Sequence, residues 1–339
     1  MYQLVFDVSS HCSWAGISCS ELGIITRIDV SSTNLRGTLY NLDFSRFDSL
    51  LELDYHNNSL YETIPYHISN LPNLTGLDFS YNKLSGRIPS KKGLVSGLQE
   101  LHLQENEITG SIPQEIGNLS KLIYLDLSHN FLSGNIPSEM GSISRLAKIY
   151  LNNNEINGSI HQEIGMLRSL EMLISGVNSL SVSIPSSLAN MSKLSYIWLN
   201  DNKLTGSIPQ EVGMLKSLTD LSLQLNFLTG PIPASIGNLS NLNIINIFEN
   251  QLSGTIPQEI GNLKSLSYRN NMFSSFLPPN MCLAGKLKTL KRSSQQFHMS
   301  IPKSLKNCTT LVRIRLQENQ LTGNISEDLG LYPNLYYMT

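Results

Sequence analysis

The apolar residues of this chain follow two spacings in alternation. Leu101 and Leu103 are separated by a single polar residue, and the residues on either side of them are also polar. This period-two alternation predicts a short strand with one face turned towards the interior. Further along, Ile116, Leu119 and Leu122 are spaced three residues apart. That spacing predicts a short helical or irregular segment that returns the chain to the start of the next strand.

The strand and the returning segment together form a unit of 24 residues that recurs along the chain. Each copy follows the form L-x-L-x-x-N-x-L-x-G-x-I-P, as in LHLQENEITGSIP at 101–113. The asparagine recurs at Asn58, Asn82, Asn106, Asn130, Asn154, Asn178, Asn202, Asn226 and Asn250, and later copies place it at Asn271 and Asn319. We count thirteen repeats, of which the first is centred on Thr33. A fixed period of this length predicts a solenoid in which each repeat packs on its neighbours.

The recurring asparagine is expected to turn the chain inward after each strand. Its amide provides two donor hydrogens and an acceptor oxygen. Buried backbone groups in a turn need hydrogen-bond partners. Stacked asparagines are therefore expected to satisfy their own turn and that of the neighbouring repeat. In the same repeats, glycines such as Gly110 relieve steric limits, and prolines such as Pro113 fix φ and end the segment.

Several repeats depart from this form. Thr33 and Gln295 replace the asparagine, and Glu62, Val182, Ser275 and Met299 replace the glycine. The step from Asn250 to Asn271 is three residues shorter than the others. We therefore predict a local defect in the sheet near Leu266–Asn271.

Composition and charge exclude several classes of function. The 339 residues carry a formal net charge of −2, so no basic surface indicates nucleic-acid binding. Phosphate-binding, metalloprotease, nucleophile-elbow and kinase motifs are absent from the sequence, which predicts a non-catalytic chain without cofactor or metal. The sequence has no apolar run long enough to span a membrane, and its start, MYQLVFDVSS, does not resemble a signal peptide. We expect both kinds of segment to lie outside this sequence.

Cysteines and glycosylation sequons point to export. Cys12 and Cys19 flank Trp14 in HCSWAGISC. Eight Asn-x-Ser/Thr sequons occur, at Asn57, Asn73, Asn118, Asn157, Asn190, Asn238, Asn307 and Asn324. Together they favour a secreted glycoprotein. Cys282 and Cys308 fall in neighbouring repeats, and the sequence leaves open whether they form a disulfide or remain buried thiols.

The G-x-I-P extension of each repeat resembles the plant-specific class of leucine-rich repeats. This resemblance implies an α/β repeat solenoid, a right-handed superhelix with a concave parallel β-sheet. HCSWAGISC resembles the second half of the N-terminal cap of that family, and the resemblance implies a disulfide between Cys12 and Cys19. We expect a partial cap at 1–24, repeats at 25–334 that are irregular near 262–300, and the start of a further repeat at 335–339.

Within that family, the chain is most similar to ectodomains of plant leucine-rich-repeat receptor-like kinases. The resemblance implies a peptide or protein ligand on the concave face, a leucine-rich-repeat co-receptor, and a parent protein in the plasma membrane with this part outside the cell. Three alternatives stay open. They are a secreted protein similar to polygalacturonase inhibitors, a receptor-like protein without a kinase, and a truncated, nonfunctional gene copy.

The outward positions of the strands are the candidate ligand contacts. From the sixth repeat to the tenth they carry apolar, aromatic and basic residues, namely Lys148, Tyr150, Met172, Ile174, Val177, Tyr196, Trp198, Ile244 and Phe248. Exposed aromatic residues gathered on adjacent strands are typical of an interaction surface. The alternative is that these side chains only pack on one another.

In the first five repeats, one outward column reads Asp29, Asp54, Asp78, His102 and Asp126. A metal site is a possible use of aspartates, but the same wording belongs to the repeat itself. We therefore expect a solvated stripe rather than a metal site.

Overall fold

A computed structural model describes residues 10–90, 95–263, 265–267, 271–273, 282, 285, 287–291, 295–300, 303–317, 319–322, 324 and 329–339. The chain divides into two compact units, Met1–Ile156 and Asn157–Thr339. We describe each unit by itself. Within the described ranges, no helix has the length and apolar character needed to cross a membrane.

The first unit contains short strands and single turns of 3-10 helix. Its strands are β1 (Ile17–Cys19), β2 (Ile25–Asp29), β3 (Arg36–Gly37), β4 (Glu52–Asp54), β5 (Ser59–Thr63), β6 (Gly76–Asp78), β7 (Lys83–Gly86), β8 (Glu100–His102), β9 (Glu107–Ser111), β10 (Tyr124–Asp126), β11 (Phe131–Gly134) and β12 (Lys148–Tyr150), and β13 (Glu155–Gly158) contains the unit boundary. Its 3-10 helices are Ser10–Ser13, Phe44–Arg46, Tyr66–Asn70, Gln114–Asn118 and Ser138–Ser142.

Two sheets run through this unit. The main sheet has the order β1-β2-β4-β6-β8-β10-β12, in which only the β1–β2 pair is antiparallel. A second parallel sheet joins β3, β5, β7, β9 and β11. From β2 to β10, each main-sheet strand is followed by a strand of the second sheet, as the 24-residue repeat predicts.

The second unit has the same construction. Its strands are β14 (Met172–Ile174), β15 (Ser179–Val182), β16 (Tyr196–Trp198), β17 (Lys203–Leu204), β18 (Asp220–Ser222), β19 (Thr229–Gly230), β20 (Ile244–Asn246), β21 (Gln251–Gly254), β22 (Ser265–Ser267), β23 (Met272–Phe273), β24 (Thr289–Lys291), β25 (Gln295–Ser300), β26 (Arg313–Arg315), β27 (Asn319–Thr322) and β28 (Tyr337–Met338). Its 3-10 helices are Gln162–Met166, Ser186–Asn190, Gln210–Met214, Ala234–Asn238, Gln258–Asn262 and Lys303–Asn307.

The even-numbered strands of this unit form its main parallel sheet, in the order β14-β16-β18-β20-β22-β24-β26-β28. The remaining strands pair in smaller parallel groups, which are β15 with β17, β19 with β21 and β23, and β25 with β27. The described helices of both units are all of the 3-10 type, so the returning segment of the repeat is a tight turn rather than an α-helix.

The core of each repeat is a stack of leucine and isoleucine side chains. Leu101, Leu125 and Ile149 are partners in the parallel register, and all three are fully buried. Complete burial of one such side chain contributes roughly 1.5–3 kcal/mol. Because the same position is filled in repeat after repeat, the core is continuous within each unit.

The asparagine of each repeat joins neighbouring turns. The Asn106 side-chain oxygen accepts a hydrogen bond from the Leu84 backbone N–H at 2.9 Å. Its amide nitrogen donates to the Phe79 carbonyl at 2.9 Å and to the Leu103 carbonyl at 3.2 Å. One side chain thus satisfies groups of its own turn and of the preceding repeat, which is the role expected from the sequence. In the first repeat, the Thr33 hydroxyl instead donates to the Val30 carbonyl at 2.6 Å.

The glycines of the returning segments are required by close packing. A Cβ atom on Gly213 would overlap the carbonyl oxygen of Ser235 in the next 3-10 helix. Gly165 stands in the same relation to Ser187. Neighbouring returning segments therefore approach more closely than any side chain would permit.

The predicted sheet defect does not extend to Leu266. Strand β22 pairs with β20 and with β24 in the regular parallel register, and Leu266 is buried. The Asn271 side chain also accepts a hydrogen bond from the Leu252 N–H at 3.0 Å. Residues 268–270 lie outside the described part of the chain.

Candidate functional site

We call the outward side of each main sheet the sheet face. In a three-residue strand, the central side chain points into the core and the two flanking side chains point outward. Strand β16 shows this division, because Ile197 is buried while Tyr196 and Trp198 are exposed. The candidate ligand contacts fall on the sheet faces of both units. Lys148 and Tyr150 belong to the first unit, and the other seven belong to the second.

On the first unit, aromatic rings form a stack along the sheet face. The His102 and Tyr124 rings lie parallel with centroids 4.5 Å apart, and Tyr124 and Tyr150 are 5.4 Å apart. The Lys148 ammonium lies 6.0 Å from the centre of the Tyr124 ring. Burial, and next the negative charge of Asp126, raise the pKa of the Tyr124 hydroxyl. Lys148 and Tyr150 therefore both lie beside Tyr124 on this sheet face.

The aspartates of this column accept hydrogen bonds from the turns that follow their strands. Asp29, Asp54, Asp78 and Asp126 occupy the last position of their strands, in register with His102. The Asp126 carboxylate accepts hydrogen bonds from the Ser128 N–H at 3.0 Å and hydroxyl at 2.6 Å. Asp126 is only 7% exposed, so the expectation of a solvated stripe is wrong at this position. Two hydrogen bonds to a serine in the following turn hold the carboxylate against the protein.

Charge is distributed unevenly within this column. Hydrogen bonds from Ser31 lower the pKa of the Asp29 carboxyl. The pKa of Asp54 is raised, first by burial and then by the negative charges of Asp78 and Asp29. The carboxylates of Asp29, Asp54 and Asp78 therefore repel one another along the column.

On the second unit, the exposed aromatic residues are concentrated on β16. Tyr196 is 37% exposed and Trp198 is 39% exposed. Met172 of β14 is the register partner of Tyr196 and is half-buried. These side chains form one outward surface of adjacent aromatic and sulfur-containing groups.

Ile174 does not belong to that surface. It is only 4% exposed, although it occupies an outward strand position. Its register partner on β16 is Trp198. The sequence prediction of Ile174 as a ligand contact is therefore wrong.

Three other candidates occupy different positions in their repeats. Val177 lies in the turn before Asn178, with a left-handed φ of 56°, and is exposed. Ile244 lies on β20 beside Asp220 of β18 and is half-buried. Phe248 follows β20 and is also half-buried. Leu225 and Phe227, which sequence reasoning did not select, are exposed on either side of Asn226.

The environment of Trp198 includes an acidic group. The indole N–H donates to the Asp220 carboxylate at 3.1 Å. The Ser222 hydroxyl donates to the same carboxylate oxygen, also at 3.1 Å. Burial raises the pKa of the Asp220 carboxyl, while these two hydrogen bonds act in the opposite direction. The carboxylate thus fixes the orientation of the indole ring.

A pair of arginines on β26 was missed by sequence reasoning. Arg313 and Arg315 take the two outward positions of this strand. The Arg313 guanidinium carbon lies 5.3 Å from the centres of both the Tyr336 and the Tyr337 rings, and that of Arg315 lies 5.1 Å from Tyr337. The Nε atoms of both arginines are buried without a hydrogen-bond partner. Alternating arginines in a strand are the sequence signal that could have identified this pair.

Paired arginines held by aromatic rings are suited to bind a planar anion such as a carboxylate. The Arg313 side chain is further oriented by a hydrogen bond to the Tyr336 hydroxyl at 2.6 Å. This part of the second unit is therefore a second candidate contact surface, with positive charge.

The cysteines are joined in two disulfides. Cys12 is bonded to Cys19, and Cys282 to Cys308, with Cα–Cα distances of 5.7 and 5.3 Å. His11 lies close to the first disulfide, but both sulfurs are committed to the bond and cannot act as thiolate ligands. The eight sequon asparagines are all exposed.

Family comparisons identify the repeat. A leucine-rich-repeat family model matches residues 96–156, and a second one matches residues 73–91, 193–215, 217–239 and 241–263. Among curated proteins, phytosulfokine receptor 1 of Arabidopsis thaliana is 35% identical over 85 residues. That match covers 24% of this chain and 8% of the relative.

Solved structures match over most of the chain. A TDR receptor aligns with a TM-score of 0.77 and 30% identity, over 91% of this chain and 58% of the other. The Arabidopsis receptor kinase HAESA, solved with the peptide hormone IDA and the co-receptor SERK1, aligns with a TM-score of 0.74 and 31% identity. That alignment covers 93% of this chain and 62% of the solved HAESA chain. The chain thus spans about three-fifths of the length of these structures.

Proposed function

Because the chain is a leucine-rich-repeat solenoid of the plant receptor-ectodomain class, we propose that it binds a peptide or protein ligand on the sheet face of its second unit. In the parent protein, this part would lie outside the plasma membrane. Ligand binding there would recruit a co-receptor and activate a kinase encoded elsewhere in the parent. The chain's own contribution is recognition, not catalysis.

The observation that carries this proposal is the pair of exposed aromatic residues on β16. Tyr196 and Trp198 project from the same strand. Aromatic side chains provide much of the binding energy at protein interfaces because they bury a large area with few rotatable bonds. Trp198 is further held by Asp220, so little conformational entropy remains to be lost when a ligand packs on the ring.

The arginine pair on β26 supports a ligand with an acidic group. A free C-terminal carboxylate or an acidic side chain would pair with the positive charge of the two guanidinium groups. An extended peptide could contact the aromatic residues with one part and the arginines with another. The solved complex of HAESA with a peptide hormone is consistent with a peptide as the ligand class.

The proposal is tested with a ligand selected from a library. A phage-displayed library of random dodecapeptides is panned against the immobilised, secreted full chain, and the selected peptides are synthesised for affinity measurements. The double variant Tyr196→Ala/Trp198→Ala is expected to lose about 2–4 kcal/mol of binding free energy, which is roughly 30-fold or more. Tyr150→Ala, measured separately, shows whether the first unit also contributes.

The matched control is Tyr66→Ala, which removes an exposed tyrosine from a 3-10 helix instead of the sheet face. It is expected to leave the affinity unchanged. If the library yields no specific peptide, or if the double variant binds the selected peptides as tightly as the Tyr66→Ala control, the proposed site is incorrect.

A further inference from the structure

Asp220 lies between apolar neighbours without a cationic partner. It is the register partner of Tyr196 on one side and of Ile244 on the other. None of the ion pairs among the described residues involves Asp220. By contrast, Asp29 on the first unit is paired with Arg27 at 3.1 Å. The described groups that contact the Asp220 carboxylate are therefore neutral.

Those neutral groups occupy only one of its two oxygens. The Trp198 indole N–H and the Ser222 hydroxyl both donate to Oδ1. Ser222 in turn accepts a hydrogen bond from the Asn246 side chain at 3.3 Å. Two neutral donors orient a carboxylate but do not neutralise its charge. Removing a carboxylate from water without a counter-ion is unfavourable, and a cation supplied from outside would offset that cost.

The neighbouring rings favour the same kind of ligand group. The faces of tryptophan and tyrosine rings attract cations, and arginine and lysine are the side chains that use this interaction. The indole N–H is already occupied by Asp220, so what Trp198 offers to a ligand is its ring surface. Carboxylate and exposed rings therefore lie together at one point of the sheet face, on β16 and β18.

We propose that Asp220, Trp198 and Tyr196 form a subsite for a basic side chain, arginine or lysine, of the bound peptide or protein. The carboxylate of Asp220 pairs with the cation, and the two rings cover its flanks. Ser222 is a positioning residue, because it holds the carboxylate through Oδ1. This subsite rests on the proposed function and adds to it a requirement for positive charge at one position of the ligand.

The subsite is tested with the peptides selected from the same dodecapeptide library. Among the selected peptides that bind the second unit, we expect a consensus sequence that contains one basic residue. Asp220→Asn removes the charge but keeps an oxygen that accepts from Trp198 and Ser222. It is expected to weaken binding on the order of tenfold. Asp201→Asn, which neutralises an exposed aspartate in the turn after β16, is the matched control and should change affinity less than about twofold.

A double-mutant cycle separates charge pairing from a loss of folding. Replacing the basic residue of the peptide by glutamine should weaken binding to the wild-type protein about as much as Asp220→Asn does. The same peptide change should have little further effect on Asp220→Asn. An unchanged circular dichroism spectrum and a melting temperature no lower than that of the wild-type protein exclude misfolding as the cause.

The outcomes distinguish this inference from the proposed function. Peptides that bind through Tyr196 and Trp198, but lack a basic residue or bind Asp220→Asn equally well, would overturn the subsite and leave the proposed function intact. A library that yields no specific peptide would overturn both.

Discussion

Truncating one of the recurring repeat asparagines to alanine should destabilise the solenoid strongly, because one side chain forms several buried hydrogen bonds. Asn226 is only 6% exposed. Its side-chain oxygen accepts from the Leu204 N–H at 2.9 Å. Its amide nitrogen donates to the carbonyls of Leu199 at 2.9 Å, Leu223 at 3.1 Å and Gln224 at 3.3 Å. Asn226→Ala removes all four contacts at once.

The magnitude follows from the groups left behind. The Leu204 N–H and the Leu199 carbonyl belong to fully buried residues, and water cannot replace the lost partner without disrupting the turn. A buried donor or acceptor left unsatisfied costs roughly 1–3 kcal/mol. With two such groups, we expect a loss of about 2–6 kcal/mol in local stability. Asn226→Asp should cost more at neutral pH, because a carboxylate would then face three carbonyl oxygens.

The appropriate assay is native-state hydrogen exchange read by mass spectrometry, because repeat proteins can unfold locally. Peptides covering residues 199–228 should exchange about 30-fold faster or more, since 1.4 kcal/mol corresponds to a factor of about ten. Asn241→Ala is the matched control, because Asn241 is exposed and makes one hydrogen bond, to the Lys216 carbonyl at 2.8 Å. It should change protection by less than about 0.5 kcal/mol. Equal effects of the two variants would refute the reasoning.

Three further predictions concern a left-handed turn residue, Asp220 and the two disulfides. Val182 takes the place of the repeat glycine with a left-handed φ of 68° and is 55% exposed. Val182→Gly should therefore raise stability by about 1 kcal/mol in thermal unfolding, whereas Gly206→Ala, at φ 73°, should lower it. A destabilised Val182→Gly variant would contradict this reasoning. The pKa of Asp220 is raised by burial, so the folded protein binds more protons than the unfolded chain between the unfolded value of 3.8 and the higher folded value. Stability should therefore fall as pH rises through that window, and Asp220→Asn should remove this dependence in melts recorded from pH 3 to 7; an unchanged profile would show that another group is responsible. By the loop-entropy relation, replacing Cys282 and Cys308 by serine should lower the free energy of unfolding by about 3.5 kcal/mol, since they are 26 residues apart. The same change at Cys12 and Cys19, which are 7 residues apart, should lower it by about 2.4 kcal/mol. Denaturant unfolding of the two double variants tests that order.

Much of the fold follows from the period alone. The repeat predicts that Leu101 and Leu125 are buried and that the Asn106 side chain forms hydrogen bonds with two turns, and the structure confirms both. The reason is that each residue of a solenoid packs on its counterpart one repeat away. The shortened repeat predicts a sheet defect near Leu266–Asn271. Strand β22 nevertheless pairs on both sides at Leu266, and residues 268–270 lie outside the described part of the chain.

The candidate site was less accessible to sequence reasoning. Tyr196 and Trp198 were selected because aromatic residues at outward strand positions stand out in the pattern. Ile174 was selected by the same rule and is buried. Arg313 and Arg315 were overlooked, since their character as a pair depends on the tyrosines of the next strand.

By itself, the sequence determined the repeat length, the strand positions, the buried leucines and the asparagine turns, because these depend on spacings along the chain and on nearest-neighbour stacking. Only the tertiary structure decided which outward side chains remain available to a ligand. It showed that Asp126 is held by Ser128, that Ile174 is buried beside Trp198, and that Asp220 orients the indole while lacking a counter-ion among the described ion pairs. These outcomes depend on the direction and size of side chains brought together from neighbouring strands, and no spacing along the chain encodes them.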